Sequence, residues 1–269
     1  MPIDISARFD FILPEPTDCL LQFEAAPLPE QALLETDTWL SSTEHFARVP
    51  AQDGIGERIW VRASGRFHID YSARVEVRRQ LADIAALAQL DPHLLPGETV
   101  EYLMSSTYCP VDRLYPFTEG EFAGTAGGQR IAAIRDWIAR HFKYEPGSTS
   151  RTTAIDSFVE RRGVCRDYAH VLVTLARASA IPARYVSVYA PGVDPQDFHA
   201  VAEVFLADPS GAPGSGAGTW QPVDATGMAD PAEMVKIGVG RDAADVSFLT
   251  CFSPCDFGDK EITVTRSDG

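Results

Sequence analysis

Positive charge is scarce in this sequence, and so are long apolar runs and paired cysteines. The 23 lysines and arginines stand against 38 aspartates and glutamates, so the formal net charge is −15. Nucleic acids and anionic membrane surfaces bind through basic protein surface, so this balance argues against both as partners. Solubility alone accounts for the acidic surplus.

Long apolar runs are missing as well. No stretch approaches the ~18 to 20 uninterrupted apolar residues of a membrane span. The N-terminal sequence MPIDISARFDFILPEP has acids where a secretory signal carries basic residues, and it lacks an apolar run of signal length. We therefore expect no membrane partner and a cytoplasmic location.

The cysteines form no disulfide framework that the sequence reveals. The chain has five of them: Cys19, Cys109, Cys165, Cys251 and Cys255. An odd number spread over 269 residues is untypical of a secreted, disulfide-bonded protein and favours a reducing cytoplasm. Cys251 and Cys255 lie four positions apart without a second pair, which is too little for a zinc site.

The first part of the chain has the pattern of β-strands. A length of 269 residues with 45% apolar residues suffices for one large domain or two ordinary ones. Segments such as CLLQFEA and RFHIDYSARVEV are rich in apolar and β-branched residues, and Phe67 and Ile69 alternate with polar neighbours. We predict a small all-β sandwich domain over residues 1–80 and a second domain over residues 81–269.

Helical spacing begins after residue 80. The segment RRQLADIAALAQL predicts a helix from the spacing of its apolar residues, which are Leu81, Ile84, Leu87 and Ala88. GGQRIAAIRDWIARHFKYEP predicts a second helix, and TTAIDSFVERRG a third. In the third, Thr153 and Asp156 form a capping-box-like start and Gly163 is the expected stop. The helix after Cys165 is apolar nearly all round, so we expect it to be central and buried.

Period-two alternation dominates the sequence after that helix. ARYVSVYA, HAVAEVFLAD and TWQPVDAT predict successive strands of a sheet. PSGAPGSGAG, between the last two, is a flexible loop by composition.

Cys165 stands where a helix start could activate a thiol. A thiol attacks an acyl carbon as its thiolate, so the ordinary cysteine pKa of about 8.5 must fall for reaction near neutrality. The partial positive charge of a helix N-terminus and a neighbouring imidazolium both favour the thiolate. Cys165 follows Gly163 by two residues and directly precedes the buried helix, where backbone amides could also bind an oxyanion. The competing interpretation is a small buried apolar residue.

A neighbouring imidazolium requires a histidine close to Cys165. Of the six histidines in the chain, His199 is the best placed. His170 lies five residues beyond Cys165 in the same helix, about 140° around its axis, so it cannot easily face the thiol. His199 opens the strand FHAVAEVFLAD after a loop rich in Pro, Gly and Asp. A strand start that faces a helix start is a suitable place for a general base.

Asp224 is the candidate that orients this imidazole. It ends the next strand, TWQPVDATG. If the two strands form an antiparallel hairpin, the start of one lies beside the end of the other, and His199 and Asp224 become neighbours. A carboxylate in that position would fix the tautomer and orientation of the imidazole.

At these residues the sequence resembles the transglutaminase-like superfamily. RRGVCRDYAHVLVTLARASAIPARYVSVY is similar to its Gly-x-Cys helix start followed by Ile-Pro-Ala-Arg, and DFHAVAEVFL with TWQPVDATG is similar to its histidine and aspartate strands. The resemblance covers about residues 100 to 250. It implies an α+β, papain-like core, a central helix packed on an antiparallel sheet. It also implies that Cys165 is the nucleophile, His199 the base and then the acid, and Asp224 its orienter.

The chain departs from the family pattern at three places outside the triad. Val201 stands where many members have Trp, Ala180 where many have Gly, and Ala225 where Pro is common. Val201 could alter the channel toward the acyl donor. Nothing resembles the calcium sites of the animal enzymes, and three candidate ligands are too few for a structural zinc, so we expect no metal and no cofactor.

Four further residues are considered for roles near the candidate nucleophile, and two of them, Arg166 and Asp167, directly follow it in sequence. Tyr144, Tyr168 and Arg166 are candidates for lining the cleft or binding the oxyanion, with core packing as the alternative for the two tyrosines. Asp167 in the first turn is better explained by helix-end electrostatics than by catalysis.

The sequence thus predicts thiol-dependent acyl transfer through a cysteine thioester. The expected partner is a protein or peptide with a glutamine-like carboxamide or a peptide bond, together with water or an amine acceptor. Two alternatives stay open: a cysteine peptidase of the same fold, and a non-catalytic binding or scaffold protein on a degenerate transglutaminase fold. The triad does not distinguish hydrolysis from amine transfer, because the acceptor that the cleft admits decides between them.

Overall fold

The structure is a computed structural model that describes residues 1–211 and 216–267. Its strands are β1 (Pro2–Leu21), β2 (Gln31–Leu40), β3 (His45–Pro50), β4 (Glu57–Val77), β5 (Lys143–Tyr144), β6 (Arg162–Gly163), β7 (Ala183–Tyr189), β8 (His199–Ala207), β9 (Gly218–Val223), β10 (Val235–Gly240), β11 (Leu249–Cys251) and β12 (Asp256–Arg266). The α-helices are α1 (Tyr115–Glu121), α2 (Gly127–His141), α3 (Ala154–Glu160) and α4 (Cys165–Ala178). Short 3₁₀ helices span Gln52–Gly54, Ile84–Ala86, Pro92–Leu94, Gly97–Leu103 and Val111–Arg113.

The N-terminal region is all-β, as its pattern predicts. Two long antiparallel strands, β1 and β4, run beside each other from Pro2↔Glu76 to Leu21↔Ile59. Strands β2 and β3 pair with β4, while β11 and β12 pair with the other edge of β1. These six strands hydrogen-bond as one sheet, and their alternate apolar residues form one hydrophobic cluster.

The C-terminal strands therefore lie with the N-terminal sheet. Residues 249–266 follow the second sheet in sequence, yet β12 pairs with β1 from Ile3↔Arg266 to Ile12↔Asp256. The division of the chain at residue 80 stays a prediction. The pairing shows that the last two strands, β11 and β12, return to the N-terminal sheet and pair with β1.

The second sheet has the order β10-β7-β8-β9 and is antiparallel throughout. Helix α4 packs against β7 and β8, and its apolar residues join those of α2 and the strands in a second cluster. The predicted central helix and the predicted hairpin are both present. The predicted flexible loop falls partly on residues 212–215, which lie outside the described residues.

The prediction of a helix from Leu81 to Ala88 is wrong. Only the 3₁₀ turn Ile84–Ala86 forms there. The carbonyl of Leu87 accepts a hydrogen bond from Gly128 N at 2.9 Å, and the carbonyl of Ala88 accepts one from the end of β8. These carbonyls are thus bonded to other elements, and the spacing of the apolar residues reflects packing against α2.

The predicted helices α2 and α3 are present. Both halves of the Thr153–Asp156 capping box form. Helix α3 ends earlier than expected, because Arg161 takes a left-handed conformation (φ 57°) two residues before Gly163. No helix of the described residues is long and apolar enough to span a membrane.

Candidate active site

Cys165 is the first residue of α4, and a carboxylate caps the helix there. Asp167 Oδ2 accepts a hydrogen bond from Val164 N at 2.8 Å, and Asp167 is buried. Cys165 itself is partly exposed. The nucleophile candidate thus lies at a capped helix start and is open to solvent, and Asp167 serves the helix end, as the sequence suggests.

Gly163 is required for this cap. A Cβ built on Gly163 would lie 2.5 Å from the Cβ of Asp167 and 2.6 Å from its Oδ2. Any side chain at this position would therefore displace the carboxylate that caps α4. The glycine expected to end α3 instead allows the capping residue of the next helix to approach.

A short parallel strand pair brings Tyr144 to the thiol. Strand β5 pairs with β6 in the register Tyr144↔Gly163, and Glu145 N donates to Gly163 O at 3.0 Å. Burial and the adjacent Cys165 both raise the pKa of Tyr144, whose hydroxyl interacts with the backbone and the thiol of that cysteine. Tyr144 is thus a protonated hydroxyl beside the candidate nucleophile.

His199 and Asp224 form a buried pair at the end of the β8–β9 hairpin. His199 Nε2 lies 3.0 Å from Asp224 Oδ2, and both side chains are almost fully buried. Burial alone would lower the pKa of His199, but hydrogen bonds and charge from Asp224 and Cys165 outweigh it and raise the pKa to about 9. The other ring nitrogen, Nδ1, has no conventional hydrogen-bond partner among the described residues.

Asp224 is held by donors on both oxygens. Thr226 N donates to its Oδ1 at 2.8 Å, Ala229 N donates to its Oδ2 at 2.9 Å, and the Thr226 hydroxyl contacts both oxygens. Burial opposes ionisation, but the bonds from His199, Ala229 and Thr226 hold the pKa of Asp224 below its ordinary value. A charged and oriented carboxylate is what fixes an imidazole with Nε2 bound and Nδ1 free.

Two further candidates, Arg166 and Tyr168, have side-chain contacts with residues other than Cys165. The Arg166 guanidinium donates to Thr149 O and lies 5.3 Å above the ring of Tyr108, so it supports the loop before α3. Tyr168 is buried, with its ring 5.8 Å from that of Tyr144, and burial raises its pKa to about 12. These contacts indicate that both residues stabilise the structure around the site.

The sequence did not predict the role of His170. It is fully buried between the rings of Tyr108 and Tyr185, and its Nε2 accepts a hydrogen bond from Ala243 N at 3.1 Å. Burial and the charge of nearby arginines hold its pKa well below the ordinary value, so it is neutral. Ala243 packs in the small apolar cluster that also includes Cys165. His170 thus anchors the segment beside the thiol.

The segment that contains these residues is similar to a known protein family. Residues 116–225 match the sequence model of the transglutaminase-like superfamily. This matched segment is called the transglutaminase-like core below. The three candidate residues Cys165, His199 and Asp224 all lie within it.

A solved structure shares the architecture of the whole chain. The crystal structure of a "Putative Cysteine Protease from Cytophaga hutchinsonii" superposes with a TM-score of 0.90 and 28% identity, covering 100% of this chain and 91% of that one. The mixed helix and sheet fold around the transglutaminase-like core, with its all-β N-terminal region, is thus shared with that protein.

Two curated relatives match part of the chain. An uncharacterized protein of Mycobacterium leprae is 28% identical over 152 residues, 55% of this chain and 53% of its own. An uncharacterized protein of Mycobacterium tuberculosis H37Rv is 32% identical over 131 residues, 43% of this chain and 40% of its own. The match thus spans about half or less of the length of these relatives.

The transglutaminase-like core contains a second buried charged group, which the sequence did not reveal. Glu203 accepts from Arg184 at 2.7 and 2.8 Å and pairs with Lys236 at 2.7 Å, and Arg184 also binds Asp53 at 2.8 Å. Burial opposes the charge of Glu203, but Lys236 and Arg184 lower its pKa to about 2. Arg184 is the arginine of the Ile-Pro-Ala-Arg motif, which has a structural explanation in this cluster.

The side chains that most often bind metal ions in proteins are those of His, Cys, Asp and Glu. Within residues 1–211 and 216–267, no group of three or more His, Cys, Asp or Glu side chains is arranged to hold a metal ion.

Proposed function

We propose that this chain is a thiol enzyme that transfers acyl groups from a carboxamide or a peptide bond. The Cys165 thiolate attacks the carbonyl carbon and forms a C–S bond. His199 then protonates the departing amine as the C–N bond breaks, leaving a thioester. Water or a second amine attacks the thioester, with His199 now accepting the proton, and the thiol is released.

One observation supports this proposal above the others. A buried imidazole has one nitrogen bound to a buried carboxylate and the other without a conventional partner, and a partly exposed thiol joins that carboxylate in raising its pKa. An unpartnered nitrogen alone does not set His199 apart, because the buried His170 also leaves its Nδ1 without a partner. The thiol of Cys165 beside His199 makes the difference. The free nitrogen is the one that can exchange a proton with the thiol and with the leaving group.

The charge state supports the same roles. With a pKa of about 9, His199 is an imidazolium at neutral pH when Cys165 is its thiolate partner. An imidazolium both stabilises the thiolate and carries the proton that the leaving amine requires. Once the thioester forms, the anionic partner is consumed, which favours loss of the proton and prepares His199 to act as a base.

Peptide hydrolysis is the second candidate. It is favoured by the likeness to the Cytophaga protein, whose name describes a cysteine protease. Tyr144 is well placed to donate a hydrogen bond to the oxyanion in either reaction, because its hydroxyl lies beside Cys165 and stays protonated.

The expected partners follow from this chemistry. We propose a protein or peptide with a glutamine-like carboxamide or a scissile peptide bond as acyl donor, and an amine or water as acceptor. The net charge of −15 supports neither nucleic acid nor an anionic membrane as a partner. A cytoplasmic location is supported by five cysteines that are all free thiols in the described residues.

One experiment separates these reactions. The protein is incubated with a glutamine-containing protein and a labelled primary amine, beside Cys165→Ala and, as a matched control, Cys255→Ala. Label incorporation that is lost only in Cys165→Ala establishes amine transfer. Ammonia release without label establishes deamidation, and peptide fragments establish proteolysis. Activity that persists in Cys165→Ala would contradict the proposal.

A further inference from the structure

Three cysteines that are distant in sequence meet at one edge of the N-terminal sheet. Cys19 lies near the end of β1, Cys251 ends β11, and Cys255 lies in the turn before β12. Cys251 interacts with both of the others through its thiol. The group, here called the thiol trio, lies outside the transglutaminase-like core defined by residues 116–225.

Two members of the trio are placed to form a disulfide. Cys19 and Cys251 are directly opposite in the β1–β11 ladder, and their Sγ atoms are 3.5 Å apart. Opposite residues of antiparallel strands have Cα atoms about 4.5 to 5.5 Å apart, inside the 4.4–6.8 Å range of disulfides. Covalent bonding thus needs the two sulfurs to approach without a rearrangement of the strands.

Two of the three thiols are accessible to small reagents from solvent. Cys19 is completely buried, whereas Cys251 and Cys255 are both partly exposed. Burial raises the pKa of Cys19 and of Cys251, so both are protonated at neutral pH and react slowly by themselves. Cys255 lies in a turn next to Cys251, where a small reagent can reach it.

We propose that the thiol trio is a redox-modification site, in which a small-molecule disulfide oxidises Cys19 and Cys251 to a reversible disulfide and Cys255 is the thiol that reacts first. Cys255 attacks the reagent RSSR, forms a Cys255–SR bond and releases one RSH. Cys251 attacks the Cys255 sulfur and releases the second RSH. Cys19 then attacks the Cys251 sulfur and returns Cys255 as a thiol, so that two protein thiols are oxidised and one RSSR is reduced.

The bond would connect distant parts of the chain. It joins β1 to β11 and so fixes the C-terminal strands to the first strand of the N-terminal sheet. Closing a loop between residues 19 and 251 restricts the unfolded chain, so the oxidised protein is expected to unfold at a higher temperature. In a reducing compartment the trio is present as thiols, and oxidation responds to a rise in disulfide concentration.

The test uses full-length protein with Cys165→Ala, so that the candidate nucleophile does not react. The folded protein is incubated with oxidised glutathione, remaining thiols are alkylated, and peptides are mapped by mass spectrometry with and without reduction. We expect a Cys19–Cys251 cross-link that a reductant reverses. Cys109, fully buried and without a neighbouring thiol, is the internal control, because it stays unmodified as long as the chain is folded.

Single variants assign the order of events. Cys255→Ser should slow formation of the same cross-link roughly tenfold, since the buried thiols must then react directly. Cys19→Ser should leave a Cys251–Cys255 disulfide, and Cys251→Ser should leave none. Glutathione adducts without any internal disulfide, while Cys109 stays protected, would overturn the proposal, as would a Cys251–Cys255 disulfide in a chain that retains Cys19.

Discussion

Strand β8 has two buried charged sites four residues apart, and they are built differently. At Glu203 both carboxylate oxygens are paired, one with Arg184 and the other with Lys236. At His199 one nitrogen is bound to Asp224, and the other has no conventional partner among the described residues. Burying polar groups is costly unless they are paired, so a site that leaves an atom free next to a thiol has the form expected for chemistry.

The first way to test the comparison is to remove the charge of Asp224. In Asp224→Asn we expect activity to fall on the order of 10²- to 10⁴-fold, because an amide cannot fix the same tautomer while accepting from Thr226 and Ala229. The measurement is kcat/KM in the assay that detects the reaction. Circular dichroism and unfolding curves serve as the control for a folded protein. A loss below about tenfold would contradict the orienting role of Asp224.

A substitution in the paired cluster around Glu203 should lower the stability of the protein rather than its activity. In Glu203→Gln two cations lose their shared anion, and we expect the free energy of unfolding to fall by about 3–5 kcal/mol. Urea titration measures the change, and the activity per folded molecule should be retained. The matched control is Asp70→Asn, which breaks the exposed pair with Arg8 and should cost less than about 1 kcal/mol. Equal effects of the two variants would remove the distinction between the sites.

The pH dependence of stability sharpens the contrast. The pKa of His199 rises from 6.5 to about 9 on folding, so its proton binds the folded state more tightly. This contribution, of order 3 kcal/mol, is fully present below pH 6.5 and is lost as the pH rises through about 9.

The check compares unfolding free energies of the wild type and His199→Gln across this pH range. The difference should shrink as the pH rises from about 6.5 to 9. In a Cys165→Ala background the decline should end at a lower pH, because Cys165 is among the groups that raise the pKa of His199. A difference that grows with pH would contradict the assignment.

The smallest expected effect concerns His170. His170→Phe keeps a ring between Tyr108 and Tyr185 but leaves Ala243 N without its acceptor, which should cost about 1–3 kcal/mol. Hydrogen exchange should accelerate in residues 241–246. His170→Gln, which can supply an acceptor near the same position, should restore protection. Equal exchange in the Phe variant and the wild type would show that His170 does not anchor this segment.

Local patterns predicted the site better than they predicted the sheet around it. The start of α4, the capping box of α3 and the β8–β9 hairpin depend on residues close in sequence, so periodicity and capping residues were sufficient. The hairpin then placed His199 beside Asp224, and that geometry followed from strand ends alone.

The features that were missed depend on distant pairing. The apolar spacing from Leu81 to Ala88 suits a helix, yet its carbonyls bond to α2 and β8, which the segment itself cannot reveal. The pairing of Cys19 with Cys251 and the Glu203 cluster join strands that no short window contains. Tyr144 was named from the sequence as a cleft candidate, but the two-residue parallel pair that brings it to the thiol is too short to leave a pattern.

The central claim is that His199 and Asp224 activate Cys165, and its most direct test is the reactivity of that thiol. The rate of alkylation by iodoacetamide at pH 7 is measured for each cysteine by mass spectrometry, with the partly exposed Cys255 as the reference. We predict that Cys165 reacts roughly tenfold faster than Cys255 and that His199→Ala removes this advantage. A Cys165 that reacts no faster than Cys255, or equally fast without His199, would contradict the account.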